Sequence, residues 1–210
     1  EQDDVADALY DSVCARDLPS MADIDSSMLL FCKDISRCVK VALSGECADE
    51  IFGGYPWYRN ISEEKVKIFP WADCIEYRTS FINKNLIKYS KGKEYAENAV
   101  YNTVKNISFS ENDSIKDRNL REMIHLNTSW FMQNLLERKD RMSMASSLEV
   151  RVPFCDYRIA EYLYSVPMKF KNHGGYEKGL LREAFRNYLP DEVLWRKKSP
   201  YPKTHHPYYE

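Results

Sequence analysis

Three carboxylates follow a serine and a glycine within one short stretch of this sequence. The stretch begins Ser44-Gly45-Glu46, and Asp49 and Glu50 follow after two further residues. A glycine lets the backbone turn sharply and lets a ligand approach closely. Carboxylates beside a phosphate repel it unless a divalent cation bridges them, and Mg²⁺ uses one or two carboxylates together with phosphate oxygens. The stretch is therefore a candidate Mg²⁺-phosphate site. The simpler alternative is that Asp49 and Glu50 only complement the dipole of a helix N-terminus.

The elements that must position these residues are a strand and a helix. Residues 39–43 are rich in β-branched side chains, which predicts a short buried strand of a parallel sheet. A helical turn is expected from Asp49 to Phe52, and Gly53-Gly54 ends it. Ligands of open α/β sheets bind at the carboxyl ends of strands, and a helix N-terminus favours anions. The loop between this strand and this helix is therefore placed where a ligand would bind.

No second strand is evident in the pattern, and one strand cannot make a sheet. Its partners are expected from upstream residues or from another chain, since unpaired strand edges invite pairing. A homodimer is one arrangement that would cover such an edge. The lone strand predicts that the chain is part of a larger α/β domain.

Helical spacing of apolar residues dominates the rest of the sequence. A first helix is expected around residues 5–13, and a second after a cap at residue 25, 26 or 27. The fold prediction is a predominantly α-helical chain with one or two short parallel strands. Further helical segments are expected at 62–69, 71–79, 94–106, 115–138, 157–164, 177–188 and 191–196.

Composition excludes several classes of protein. The 30 Lys and Arg against 32 Asp and Glu give a net charge of −2, so the whole chain has no electrostatic drive toward nucleic acid or an anionic membrane. The longest apolar run, 28–32, falls far short of the ~20 residues of a membrane span. The six cysteines include no Cys-x-x-Cys pair, so their spacing indicates no zinc site. They are expected to be free thiols in a reducing compartment, which favours the cytoplasm.

Twelve consecutive residues, 44–55, closely resemble the Ser-Gly-Glu-Gly-Ala/Ser-Asp-Glu-hydrophobic-Phe-Gly-Gly-Tyr signature of glutamine-hydrolysing asparagine synthetases. Four later blocks, at 138–145, 148–156, 177–183 and 195–198, resemble further motifs of that family. The resemblance runs from about residue 10 to the end. It implies an α/β fold of the adenine nucleotide alpha hydrolase type.

The resemblance also implies a reaction in two steps. The β-carboxylate of aspartate attacks the α-phosphorus of ATP, which gives β-aspartyl-AMP and pyrophosphate. Ammonia, released from glutamine in a separate N-terminal domain, then displaces AMP to form asparagine. The first step needs Mg²⁺ and cations to hold the pyrophosphate, and the second needs a group that accepts protons from the attacking nitrogen.

The resemblance assigns roles residue by residue. Ser44, Gly45 and Glu46 match the loop that contacts the nucleotide, and Glu46 also matches a carboxylate proposed to act in proton transfer. Asp49 matches the acidic residue near Mg²⁺ and pyrophosphate. Lys178 matches the lysine that holds the phosphates, a role that suits its compact charge. Glu46 and Lys178 are therefore the predicted catalytic residues.

The loop at 17–27 matches a family segment near the amino-acid substrate. Asp25 and Ser26 are the predicted substrate contacts. Some family members carry arginine where this chain has Asp23, so the contacts to aspartate depart from the family pattern.

The family's Ser-Gly-Gly-x-Asp-Ser pyrophosphate loop does not occur in the sequence, and no N-terminal glutaminase nucleophile is present. The chain, 1–210, is therefore expected to be a C-terminal fragment of a synthetase domain. It would keep one wall of the ATP site, with the glutaminase domain and the upstream synthetase segments supplied in cis, and would be inactive alone.

Two other functions compete with asparagine synthesis. A β-lactam synthetase uses the same adenylation on a different carboxylate, but such enzymes tend to have tyrosine at the position of Glu46. The second competing hypothesis is a non-catalytic scaffold or interaction domain that has kept the fold.

Overall fold

The computed structural model describes residues 2–59, 61, 63–72 and 74–199. Helices dominate these residues, and two short strands complete them. The helices are α1 Gln2–Asp7, α2 Leu9–Arg16, α3 Ala22–Ser36, α4 Ala48–Phe52, α5 Ile75–Arg78, α6 Lys84–Ser90, α7 Gly92–Val104, α8 Ile115–Leu126, α9 Met132–Ala145, α10 Tyr157–Ser165, α11 Met168–Lys171, α12 Gly179–Ala184 and α13 Asp191–Leu194, and the strands are β1 Val41–Leu43 and β2 Glu149–Arg151.

The two strands run parallel, with Val41 opposite Glu149 and Leu43 opposite Arg151. Helix α3 and helix α9 pack beneath them and bury an apolar core that includes Leu29, Met142 and Leu148. Ala42 and Val150, from the middle of the two strands, pack against this core. Because β1 lies on this support, the loop at its carboxyl end has a fixed base.

Helix α4 is held at both ends by left-handed residues. Cys47, with φ 73°, precedes it, and Gly53, with φ 74°, ends it. Phe52 packs edge-to-face on Phe154 at 6.1 Å between ring centroids. A second apolar cluster buries Ile51 and Phe52 against Leu163 of α10. The short helix is therefore positioned by packing, since five residues are too few for a helix to be stable alone.

Helices α8 and α9 form one long rod. Ser114 and Asp117 close a capping box at its start. The π-helical segment Asn127–Phe131 joins the two helices, and the buried Asn127 amide donates to the Met123 carbonyl there. The helix predicted at 115–138 is therefore present and extends to Ala145. This rod carries residues 138–141 to the base of the β1 loop.

The prediction of a mainly helical chain with one or two parallel strands is confirmed. The expectation that the partners of β1 come from outside the chain is wrong for one edge of the strand, because β2 pairs with that edge. The second helix begins at Ala22, before the expected caps at residues 25–27. The described residues of 62–69 contain no helix, and α6 lies where none was predicted.

None of the helices in the described part of the chain is long and apolar enough to cross a membrane. All six cysteines are free thiols, and only Cys32 and Cys47 are buried.

Candidate active site

The loop Ser44-Gly45-Glu46 leaves the carboxyl end of β1. The Ser44 amide donates to the Arg151 carbonyl at 2.8 Å and so extends the strand pairing by one residue. The Ser44 hydroxyl oxygen accepts from the Glu46 amide at 3.4 Å. Gly45 is exposed, and a Cβ atom added there would meet no atom within 4 Å. The loop is therefore anchored at one side and open at the other.

Glu46 points to the long rod rather than to solvent. Its Oε1 lies 3.5 Å from Lys139 Nζ, and the two side chains are 19% and 17% exposed. Its Oε2 is buried and accepts no hydrogen bond from the described residues. Burial raises the pKa of Glu46, and the charges of Lys139 and Arg138 act against that rise. A partly buried carboxylate with a raised pKa and a free oxygen is suited to accept a proton.

Asp49 is bound by two lysines from the C-terminal part of the chain. Lys178 Nζ lies 3.1 Å from its Oδ1 and Lys198 Nζ lies 3.0 Å from its Oδ2. Lys178 has φ 55° and precedes helix α12. A Cβ atom added at Gly54 would lie 1.8 Å from Asp49 Oδ1, so the carboxylate occupies the space that the glycine leaves free.

Glu50 faces the interior, unlike the other two carboxylates. Its side chain is almost fully buried and accepts from the Tyr55 hydroxyl at 2.6 Å. The Tyr58 hydroxyl donates to the Glu50 carbonyl at 3.1 Å. Burial is the main cause that raises the pKa of Glu50. The three carboxylates of the stretch thus have three different sets of partners.

Asp49 opens onto a cleft of about 480 Å³. Arg182 is the most constrained of its cations, because its guanidinium donates to the carbonyls of Glu177, Leu194 and Arg196. The cleft therefore combines one carboxylate with an excess of positive charge and an apolar wall. Its lining residues are Asp49, Phe154, Lys178, Leu181, Arg182, Phe185, Leu189, Val193, Leu194, Arg196, Lys197, Lys198 and Ser199.

Asp49 is a single carboxylate whose neighbours are two lysines, so it would hold a Mg²⁺ ion only together with phosphate oxygens and not as part of a metal site made by protein alone. Within the described residues, no group of three His, Cys, Asp or Glu side chains lies close enough to hold a metal. Asp49 Oδ1 is buried and accepts no hydrogen bond of good geometry from those residues, although it is within ion-pair distance of Lys178. One such carboxylate plus phosphate oxygens is a common Mg²⁺ environment.

Asp25 and Ser26, the predicted substrate contacts, lie inside helix α3. Ser26 is fully buried, and its hydroxyl is 3.2 Å from that of Ser12. Burial raises the pKa of Asp25, while the charges of Arg16 and Arg138 act against it. Neither residue lines the cleft at Asp49. Their contact with substrate stays a prediction.

Two residues of this site were given no individual role from the sequence. Lys139 lies in a run of charges at 138–141, and Lys198 lies in the basic turn at 196–198. Both runs match family blocks, but spacing alone does not tell which charge of each run faces the loop. The ion pairs with Glu46 and Asp49 identify them.

Comparison with known proteins gives a consistent answer. A sequence profile described as asparagine synthase matches residues 1–210. The chain belongs to the asparagine synthase family. It is 48% identical over 208 residues to Asparagine synthetase (glutamine-hydrolyzing) 3 of Bacillus subtilis (strain 168), which covers 99% of this chain and 34% of that protein.

Other members of the asparagine synthase family match over shorter or more divergent stretches. Asparagine synthetase (glutamine-hydrolyzing) 1 of the same bacterium is 31% identical over 200 residues, covering 81% of this chain and 32% of that protein. The Homo sapiens asparagine synthetase is 45% identical over 67 residues, covering 30% of this chain and 12% of that protein. The chain therefore spans about a third of the length of the two bacterial relatives.

Cys47 stands where the asparagine synthetase signature has glycine. Its φ of 73° explains that preference, because the left-handed conformation costs a residue with a Cβ atom about 1–2 kcal/mol. Burial, together with the adjacent Cys155 thiol, raises the pKa of Cys47. The thiol therefore stays protonated at neutral pH, and a buried protonated thiol is a poor nucleophile.

Proposed function

We propose that this chain forms one wall of the active site of an enzyme that converts aspartate to asparagine. The reaction uses ATP, passes through β-aspartyl-AMP and takes ammonia from glutamine. The names of the relatives, all glutamine-hydrolyzing asparagine synthetases, support this proposal. In the protein that carries the chain, the glutaminase domain and the pyrophosphate loop would come from other segments.

The observation that carries the proposal is the pairing of Asp49 with two lysines at the mouth of the cationic cleft. Lys178 and Lys198 approach opposite oxygens of the same carboxylate. One carboxylate neutralises one of the two charges, so the pair keeps a net positive charge for an anion. The triphosphate of ATP, and the pyrophosphate that leaves it, are anions that such a pair would bind.

Each of the site residues has a separate role in the proposed reaction. Ser44 and Gly45 present an open loop to the nucleotide, and Lys178 holds phosphate oxygens as charge develops on the departing pyrophosphate. Asp49 would share a Mg²⁺ ion with the phosphates, and that ion supplies charge neutralisation when bound. Glu46 accepts a proton from the nitrogen that attacks the acyl-adenylate.

Further parts of the proposal concern the protein's surroundings. Aspartate, ATP and glutamine-derived ammonia are the proposed substrates. Free thiols throughout the chain support a reducing compartment, and we place the protein in the cytoplasm. A homodimer and a role for Asp25 and Ser26 in aspartate binding are proposed on the sequence alone.

The test measures aspartate-dependent pyrophosphate release and asparagine formation by the full-length protein with Mg²⁺-ATP and ammonium. Glu46→Gln should fold and lower asparagine formation by about 100-fold or more, since it removes the proton acceptor. Lys178→Ala should weaken pyrophosphate formation because one phosphate cation is lost. Lys88→Ala, which removes an exposed lysine of α6, is the control and should behave as wild type. Wild-type turnover in both site variants would reject the assigned roles.

A further inference from the structure

Two of the six cysteines meet beside the candidate active site. Cys47 immediately precedes helix α4, and Cys155 ends the short 3₁₀ helix Pro153–Cys155 that follows strand β2. A hydrogen bond joins their two thiol groups. The two residues are far apart in the sequence, so the fold makes this contact.

Packing on both sides holds the two cysteines together. Ala48, the residue after Cys47, is buried in an apolar cluster, and Phe154, the residue before Cys155, packs against the same cluster. The Phe154 ring also meets the Phe52 ring edge-to-face. Because the neighbours of both cysteines are fixed in one cluster, the contact between the two sulfur atoms does not depend on a free loop.

The two thiols differ in their access to solvent. Cys47 is 1% exposed, whereas Cys155 is partly exposed. A small oxidant can therefore reach the Cys155 sulfur directly, and the Cys47 sulfur lies behind it. A solvent-accessible cysteine next to a second cysteine that can resolve it is the usual arrangement of a redox-sensitive pair.

We propose that Cys47 and Cys155 are a modification site for peroxides, which convert the two thiols to a reversible disulfide and thereby lower the activity of the adjacent site. The loss of activity rests on the proposed function, whereas formation of the bond does not. In a reducing compartment the thiols are the resting state, and such a disulfide is transient.

The reaction balances in two steps. The Cys155 thiolate attacks one oxygen of the peroxide, the O–O bond breaks, and the sulfur becomes a sulfenic acid while hydroxide leaves as water. The Cys47 sulfur then attacks the Cys155 sulfur, so that the S–S bond forms and the S–O bond breaks. The departing hydroxide takes the Cys47 proton and leaves as a second water. A thiol reductant reverses the bond by exchange.

The bond would disturb the residues on both sides of Cys47. Two sulfur atoms in hydrogen-bond contact must approach to about 2.05 Å to form a disulfide. Glu46, which pairs with Lys139, precedes Cys47, and Asp49 follows it by two residues. A displacement of about 1 Å in a catalytic group can lower a rate by about 100-fold. The disulfide should therefore inactivate the enzyme.

The alternative is that the two cysteines only fill space. Free buried cysteines behave as small hydrophobic residues, and Cys47 replaces a glycine of the family signature. In that case an oxidant would modify exposed thiols such as Cys14 and Cys38 and would leave the Cys47 and Cys155 thiols reduced.

The test treats the reduced full-length protein with hydrogen peroxide, blocks the remaining thiols by alkylation and maps the peptides by mass spectrometry. We expect a cross-linked peptide pair that contains Cys47 and Cys155 and is two hydrogens lighter than the sum of the reduced peptides. Asparagine formation should fall by about 100-fold and should recover after dithiothreitol treatment.

Three variants give the controls. Cys155→Ala and Cys47→Gly each remove one partner, so each should keep its asparagine formation after peroxide treatment. Cys47→Gly also places the residue that best tolerates the φ of 73° at this position, so it should fold even if Cys155→Ala does not. Cys14→Ala removes an exposed cysteine outside the pair and should lose activity with peroxide as wild type does.

The outcomes separate this inference from the proposed function. A cross-link between Cys47 and Cys155 with reversible loss of activity, both absent in the two pair variants, supports the inference. Oxidation of Cys14 without that cross-link, or a cross-link with full activity, overturns it and leaves the proposed function standing. Absence of asparagine formation before any oxidation overturns the proposed function, and the peptide map still shows whether the disulfide forms.

Discussion

Removing the charge of Lys139 should move the pH dependence of catalysis, because Lys139 is the described cation that pairs with the proposed proton acceptor, Glu46. The Lys139 Nζ to Glu46 Oε1 distance is 3.5 Å, and burial raises the pKa of Glu46 against the attraction of that charge. At an effective dielectric of 20, a pair at this distance attracts by about 5 kcal/mol, which solvent access to both side chains reduces. Loss of one adjacent opposite charge typically changes a carboxyl pKa by about 1–3 pH units.

The direction of the shift in the pH-rate profile follows from the proposed role of Glu46 as a base. Without Lys139 the carboxylate is harder to ionise, so the acidic limb of the rate profile should move to higher pH by about 1–3 pH units. The assay compares Lys139→Met with wild type in ammonia-dependent asparagine formation between pH 6 and 9. The ratio of variant to wild-type rate should rise with pH, and Lys139→Arg, which keeps the charge, should restore most of the profile. A ratio that is low and constant across this range would refute the reasoning.

Three further substitutions test the framework of the site in the full-length protein. Gly54→Ala should raise the ATP KM about tenfold or more, since its Cβ would lie 1.8 Å from Asp49 Oδ1 and displace that carboxylate. The methyl group added by Gly45→Ala would meet no atom within 4 Å, so the melting temperature of the protein should be unchanged. A raised ATP KM in this variant would show that the nucleotide approaches the loop closely, and an unchanged KM would contradict that role. Burial lowers the pKa of Lys171 to about 8, and its ammonium donates to the Ile51 carbonyl. Above that pH the folded state has released a proton that the unfolded state still binds, so the stability of wild type relative to Lys171→Met should rise by about 2 kcal/mol between pH 8 and 10 in urea unfolding. A stability difference that stays constant over this range would contradict this.

The strand that carries the site was predictable, whereas its partner was not. Residues 39–43 present β-branched side chains next to a glycine turn, and this signal is local. Strand β2 contains only Glu149, Val150 and Arg151, and its two outer residues are charged and exposed. Three residues carry too little periodicity to distinguish a strand from a helix end. The pairing comes from tertiary packing on α3 and α9, which local sequence does not encode.

The helix expected at 62–69 is absent from the described residues of that range. Pro70 disfavours helical geometry only at Phe69, so it does not account for the residues before it. Phe69 is instead buried in an apolar cluster with Val100 and Leu126. Its apolar spacing reflects burial of a loop against α7 and α8 rather than a helical face.

The loop of the candidate site could be predicted from the sequence, whereas most of the cations that pair with it could not. Lys178 was found through the resemblance of its surrounding block, and the structure brings it to Asp49 as an ion pair. Lys139 lies 93 residues after its partner Glu46 in the sequence, and Lys198 lies 149 residues after its partner Asp49. Nothing in the chain between them indicates such a contact, because it depends on how α4, α9 and the segment after α13 come together.

The three carboxylates of the loop raised the difficulty that they would repel a phosphate, and the structure resolves it by giving each one a different partner. Glu46 meets Lys139 of α9, Glu50 accepts from Tyr55, and Asp49 is shared by two lysines. Only Asp49 lines the cleft, where five lysine and arginine side chains surround it. One carboxylate against five cations leaves a local charge of about +4 among the described lining residues, so the cleft favours anions although its loop is acidic. The same contacts connect the loop to α9, to α12 and to the segment after α13. The charge that the loop presents to the cleft therefore depends on the packing of all these elements.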